Sequence, residues 1–254
     1  MHRDYAFVNS LKMYYEIHGA GRPLVLLHGG LTTIDSSFGE ILPILANTRQ
    51  VVAVEQQGHG HTADLDRPLT FEQMADDTAA LLRQIEIESA DFFGWSDGGN
   101  IALQIALRHP SLVRRLMISG TNYNNDGFDS SVLRAFQDLT PAGMPKVLAE
   151  AYARTAPDPK QWPILIDKVK KLALEFKGWR PEDIQSIDVP VLVMIGDRDI
   201  VRPEHAVQMF RLLPNAQLAV LPGTDHNTLA RPDWVLPMMA AFLDGPVPPP
   251  RVSP

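Results

Sequence analysis

Short apolar runs recur along the chain, separated by stretches in which apolar and polar residues alternate with a helical period. Leu24–Leu27, Val51–Val54, Asp91–Phe93, Leu116–Ser119 and Val191–Ile195 are brief, and turn or charged residues follow most of them. Runs of that length bounded by breakers predict buried strands. Between them, Phe71–Ile85 sets Met74, Thr78, Leu81, Leu82 and Ile85 on one face, and Asn100–Arg108 pairs Ile101 with Ile105 and Ala102 with Ala106. Strands alternating with amphipathic helices predict an α/β fold, a mostly parallel sheet covered on both faces. The first two segments differ. Tyr5–Val8 and Leu11–Ile17 are joined only by Asn9-Ser10, which predicts an antiparallel hairpin at the sheet edge.

The alternation lapses from about Thr121 to Asp188. Asn122, Asn124, Asn125, Asp126 and Gly127 open this region as a loop. Helical patterns follow, interrupted by prolines. The clearest puts Leu165, Val169, Leu172 and Phe176 on one stripe, with Lys168, Lys170, Lys171 and Glu175 off it. The expected organisation is an α/β core over residues 1–120 and 189–245, a small helical cap inserted over 121–188, and a Pro-rich tail over 246–254.

Composition narrows the functional classes. The 254 residues are 45% hydrophobic, enough for one sizeable core. A formal charge of -7, with no basic stripe, gives no reason to expect nucleic-acid binding. No stretch approaches the ~20 apolar residues that span a bilayer, and the N-terminal residues lack a signal-peptide pattern. The absence of cysteine excludes thiol catalysis, disulfides and thiolate metal sites. The expectation is a cytoplasmic protein, monomeric or homodimeric, without nucleic-acid or membrane partners.

Gly94-Trp95-Ser96-Asp97-Gly98 sits between a strand and a helix. A G-x-S-x-G string in that context is a nucleophile elbow. Ser96 tips the turn, Gly94 and Gly98 relieve crowding around it, and the helix start aims N–H groups at the site. His28-Gly29-Gly30 follows an earlier strand. The N–H groups of Gly30 and Asp97 are therefore the expected oxyanion hole. His28 is expected to fix its loop rather than to act as base. Trp95 and Leu31, beside these loops, are expected to contact substrate.

A serine needs a base, and the base an orienting acid, in the chain order Ser, Asp or Glu, His. Of the eight histidines, His226 alone follows both the acid candidates and a last apolar run, Leu218–Leu221. Asp197 and Asp199 compete for the acid, and spacing from Gly196 favours Asp199. Asp225 is a weaker rival that would hold the loop. His59 and His61 flank Gly60 with no third ligand in view, and are read as loop structure rather than a metal site. Of the cap aromatics Tyr123, Phe128, Phe136, Tyr152, Trp162 and Trp179, only one or two are expected to touch substrate.

Together, His28-Gly29-Gly30, Gly94-Trp95-Ser96-Asp97-Gly98-Gly99, Gly196-Asp197-Arg198-Asp199 and Gly223-Thr224-Asp225-His226 resemble, in order, the motifs of the α/β-hydrolase superfamily. The chain looks like a small serine esterase or lactonase, and its nucleophile block resembles that of valacyclovir-hydrolase-like members. The resemblance implies an eight-stranded sheet, a Ser96–His226–Asp199 triad, no cofactor, and small to medium carboxylic esters or lactones as substrates. It also points to the aspartate three residues after the glycine as the acid. Where such proteins often carry Asp-x-x-Gly-x-Gly-x-Ser, this chain has Glu55-Gln56-Gln57-Gly58-His59-Gly60-His61-Thr62. That departure bears on the shape of the oxyanion loop. A serine nucleophile argues against the carboxylate-dependent epoxide hydrolases and haloalkane dehalogenases. The Asp97 side chain either supports its helix or faces the pocket, where it would favour a cationic group. Two other functions stay open: a cofactor-free perhydrolase, haloperoxidase-like, with peroxide as acceptor, and a hydrolase-fold receptor for a small ligand.

Overall fold

The computed structural model describes residues 1–246. The tail expected over 246–254 lies outside them, apart from Pro246. The strands are β1 (His2–Val8), β2 (Leu11–His18), β3 (Pro23–Leu27), β4 (Gln50–Val54), β5 (Ala90–Trp95), β6 (Val113–Ser119), β7 (Val191–Gly196) and β8 (Ala216–Leu221). They form one eight-stranded sheet in the order β1-β2-β4-β3-β5-β6-β7-β8. Only β1 with β2 and β2 with β4 pair antiparallel; the rest is parallel. Asn9 and Ser10 turn the edge hairpin with φ of 47° and 69°, the left-handed pair that matches strand twist.

The helices are α1 (Ile34–Phe38), α2 (Leu42–Leu45), α3 (Phe71–Gln84), α4 (Asp97–Arg108), α5 (Ser130–Gln137), α6 (Lys146–Thr155), α7 (Trp162–Glu175), α8 (Pro181–Gln185), α9 (Pro203–Leu212) and α10 (Pro232–Asp244). Strand alternation divides the core into two layers. Val25, Leu27, Val52 and Phe92 pack with Met74, Ile101 and Met209 of α3, α4 and α9. Leu24, Leu26, Val51 and Phe93 pack with Phe38 of α1 and with Val235, Met239 and Phe242 of α10. Between β6 and β7 the chain leaves the sheet to form α5 through α8. α7 lies on the loops after β3 and β4: Val169 reaches Gly30 and Leu165 reaches Gly58. No helix among the described residues is long and apolar enough to cross a membrane.

Candidate active site

β5 runs straight into α4, and Ser96 makes the corner with φ 55° and ψ -124°. Such a conformation is costly for a residue with a side chain and is held only by its surroundings. Here Ser96 N–H donates to the Ser119 carbonyl at 2.8 Å. The corner is also crowded: a Cβ on Gly94 would stand 2.1 Å from the Gly98 carbonyl oxygen, and one on Gly98 would stand 1.9 Å from that of Leu27. Only glycine fits at either position.

The loops after β7 and β8 bring the other two residues to this corner. His226 Nε2 lies 3.0 Å from Ser96 Oγ, and His226 Nδ1 lies 2.7 Å from Asp199 Oδ1. Asp199 Oδ1 also accepts from the Val201 N–H at 2.9 Å. The Asp199 side chain is fully buried while the His226 side chain remains 24% exposed. A carboxylate at Nδ1 fixes the proton there and leaves Nε2 as the acceptor facing the serine. The rival aspartates point elsewhere. Asp197 accepts from the Thr224 N–H, Asp225 accepts from the Asn227 N–H, and both are exposed.

The loop after β3 is held by imidazoles. His28 Nδ1 bonds the Gly29 carbonyl while its Nε2 accepts from the Gln56 N–H at 3.1 Å. His59 Nδ1 bonds the Gln57 carbonyl while its Nε2 accepts from the Leu31 N–H at 3.1 Å. That second bond holds Leu31 at a left-handed φ of 61°. Burial pushes both imidazoles down to about 4, so both are neutral near pH 7. His61 turns away from His59 to bond Glu55 at 2.8 Å, and Glu55 Oε1 accepts from the Ile34 N–H. Glu55 thus braces the chain where the loop after β3 enters α1, and the two histidines bond separate partners. The N–H groups of Gly30 and Asp97 have no acceptor among the described residues.

A cavity of about 200 Å³ opens over Ser96 and His226. Its wall is mostly apolar and includes Leu31, Phe71, Phe128, Phe136, Val169 and Phe176. Two of the cap aromatics noted in the sequence, Phe128 and Phe136, therefore reach it. Phe71 and Phe176 also border it, and nothing in their sequence spacing separates them from ordinary core residues. Clefts of about 390 and 330 Å³ lie elsewhere, but neither contains the serine. Trp95, expected at the substrate, does not border the cavity. Its Nε1 donates to the His226 carbonyl at 2.8 Å, and its ring packs on the sheet face covered by α1 and α10.

Asp97 lies in the first turn of α4, with Ser96 at the capping position. Its carboxylate borders the cavity, half-buried, and makes no hydrogen bond among the described residues. Burial pushes its pKa up to about 6, with His226 nearby pulling the other way. It does not cap the helix. It is a carboxyl group facing the pocket.

Comparison with known proteins agrees with this architecture. The chain is 26% identical over 238 residues to human serine hydrolase BPHL, covering 87% of this chain and 78% of that protein. It is 25% identical over 264 residues to a putative non-heme chloroperoxidase of Synechocystis, covering 92% and 95% of the two chains. Among solved structures it resembles Est816, described as an N-acyl homoserine lactone degrading enzyme. There the TM-score is 0.78 at 24% identity, over 94% of this chain and 99% of the other. The profile of the Alpha/beta hydrolase family matches residues 24–237. That match takes in the elbow, the oxyanion loop and the segments bearing Asp199 and His226, and the chain belongs to the alpha/beta hydrolase family.

Proposed function

We propose that this hydrolase cleaves small to medium carboxylic esters or lactones through an acyl-enzyme on Ser96. The observation that carries the reading is the run of bonds from Ser96 Oγ to His226 Nε2, and from His226 Nδ1 to Asp199. In this scheme His226 takes the hydroxyl proton as Ser96 attacks the carbonyl carbon. The oxyanion settles between the N–H groups of Gly30 and Asp97, where each donor contributes about 3–4 kcal/mol in the transition state. His226 then gives its proton to the leaving alcohol, and water repeats the sequence to release the acid. The apolar cavity supports an acyl or alcohol group of modest size.

The test is hydrolysis of p-nitrophenyl butyrate by the wild type and by Ser96→Ala. Clear wild-type turnover and a loss of at least about 10⁴-fold are expected. Equal rates in the two proteins would remove Ser96 from the chemistry. Peracid formation in peroxide, exceeding ester hydrolysis, would instead favour the perhydrolase reading. Very slow turnover with tight ligand retention would favour a receptor.

A second reading refines the substrate. The unpartnered Asp97 carboxylate beside Ser96 favours esters whose acyl group carries an ammonium, because the wall offers no other charge to an entering cation.

A further inference from the structure

The cavity over Ser96 ends against a wall that it shares with a second, inner cavity. The inner one measures about 10 Å³, room for roughly one water-sized group. Gly30, Asp97 and Val169 border both. Beyond them the inner cavity is lined by the apolar side chains of Leu69, Met74, Ile101 and Leu172, and also by His28, Gly29 and His59. Gln56 also borders it, and that side chain is only 1% exposed. Its Nε2 donates to Thr78 Oγ1 at 3.0 Å, which fixes the orientation of the amide. Its Oε1 is left buried with no hydrogen-bond partner among the described residues. A buried acceptor without a donor is costly, and here the residue that carries it lines a cavity that shares Gly30, Asp97 and Val169 with the active-site cavity.

The three shared residues are not equally able to yield. Gly30 has no side chain to withdraw. Asp97 has its backbone fixed by the elbow, and its unpartnered carboxylate stays charged wherever it turns, so it is not an apolar gate. Val169 is a side chain on α7 whose Cγ1 lies 3.3 Å from where a Cβ on Gly30 would stand. Direction follows from the proton donor. A leaving alcohol must face His226, which borders the outer cavity and not the inner one. The arm of the substrate that passes Gly30 and Asp97 away from His226 is the acyl arm.

We propose that the two cavities are one acyl pocket divided by Val169, that the size of residue 169 sets the acyl length accepted, and that Gln56 Oε1 receives a hydroxyl or N–H at the far end of a longer chain. The proposal rests on the ester-hydrolase reading. Short acyl groups stop at Val169. Removing its two methyl groups joins the cavities and admits chains that the wild type rejects.

The experiment is a set of kcat/KM values for p-nitrophenyl acetate, butyrate, hexanoate and 6-hydroxyhexanoate with wild type, Val169→Ala and Val169→Ile, each checked by thermal melting. The hexanoate-to-acetate ratio should rise about tenfold in Val169→Ala, the scale on which a hydrophobic pocket senses a missing methylene or two. It should fall in Val169→Ile, which keeps the core filled and so guards against an unfolded Ala variant. In Val169→Ala the 6-hydroxy ester should outrun plain hexanoate. Ratios that stay at the wild-type value in active variants would overturn the proposal while leaving the ester reading intact. Failure of every protein, wild type included, on every ester would overturn the ester reading and the proposal with it.

Discussion

Asp97 presents two groups to the site: an N–H with no acceptor among the described residues and a carboxylate that faces the pocket. Asp97→Asn keeps the first and removes the second. The ratio of kcat/KM for benzyl alaninate to that for benzyl propionate, a matched pair differing in the ammonium, should then fall by at least about tenfold, the scale of a charge-assisted hydrogen bond. In the wild type that ratio should climb as pH rises through about 6, where the carboxyl loses its proton, and fall again above roughly 8, where the substrate's α-ammonium loses its own. A ratio that is flat with pH and indifferent to Asp97→Asn would sink the cationic reading. That Ser96, His226 and Asp199 would come together in one run of bonds was legible in the sequence, because the motifs that carry them restrict both residue type and chain order. Trp95 was not. Adjacency to the nucleophile suggested substrate contact, but strand alternation puts Trp95 on the same side as Phe93, away from the pocket. Nor did the spacing mark Phe71 or Phe176 as cavity residues: Phe71 opens α3, Phe176 caps the end of α7, and the two helix ends meet at the cavity from far apart in the chain.

Helix α7 shows what periodicity reveals and what it leaves hidden. Leu165, Val169 and Leu172 are buried as the spacing predicts, while Phe176, the last member of the predicted stripe, lies just past the helix, half-buried and bordering the cavity. Lys168 was read as lying off that stripe, and in the structure its side chain is only 17% exposed. Its Nζ donates to both carboxylate oxygens of Asp64 and to the Leu65 and Arg67 carbonyls, at 2.6–2.9 Å. Periodicity assigns a face; it does not say that a loop some hundred residues earlier supplies acceptors there. Because α7 also positions Val169 over Gly30, loosening this clamp should disturb the pocket. Lys168→Met should lower stability by about 1–3 kcal/mol and raise KM more than it lowers kcat. It should also speed hydrogen exchange in 162–175 and 63–67. Unchanged exchange in both segments would show that the clamp does not hold the helix.

The mostly parallel character of the sheet followed from short apolar runs and the helices between them, since parallel strands need such crossovers. Less legible was how the molecule stores buried titratable groups. His28, His59 and His205 are each almost fully buried, and each uses Nε2 to accept a backbone N–H. Burial pushes all three down to about 4. The unfolded chain, with histidine near ~6.5, therefore binds more protons between these limits. Stability is complete above about 6.5 and declines as pH falls toward 4. Asp97, raised to about 6, acts in the opposite sense over much of the same window, one group against three. The melting temperature should drop by at least about 5 °C between pH 7 and pH 5. A melting temperature constant over that interval would mean that the three imidazoles are not buried as neutral acceptors.

The bond from His226 to Ser96 joins positions 130 residues apart. On the proposed chemistry, a ribosome adding roughly 5–20 residues per second therefore makes the corner that bends Ser96 many seconds before it supplies the imidazole that takes its proton. Throughout that interval the serine is an ordinary alcohol, whatever acyl compounds surround the growing chain. The order of synthesis acts as a safety catch, released only when the last strand and the loop behind it have emerged.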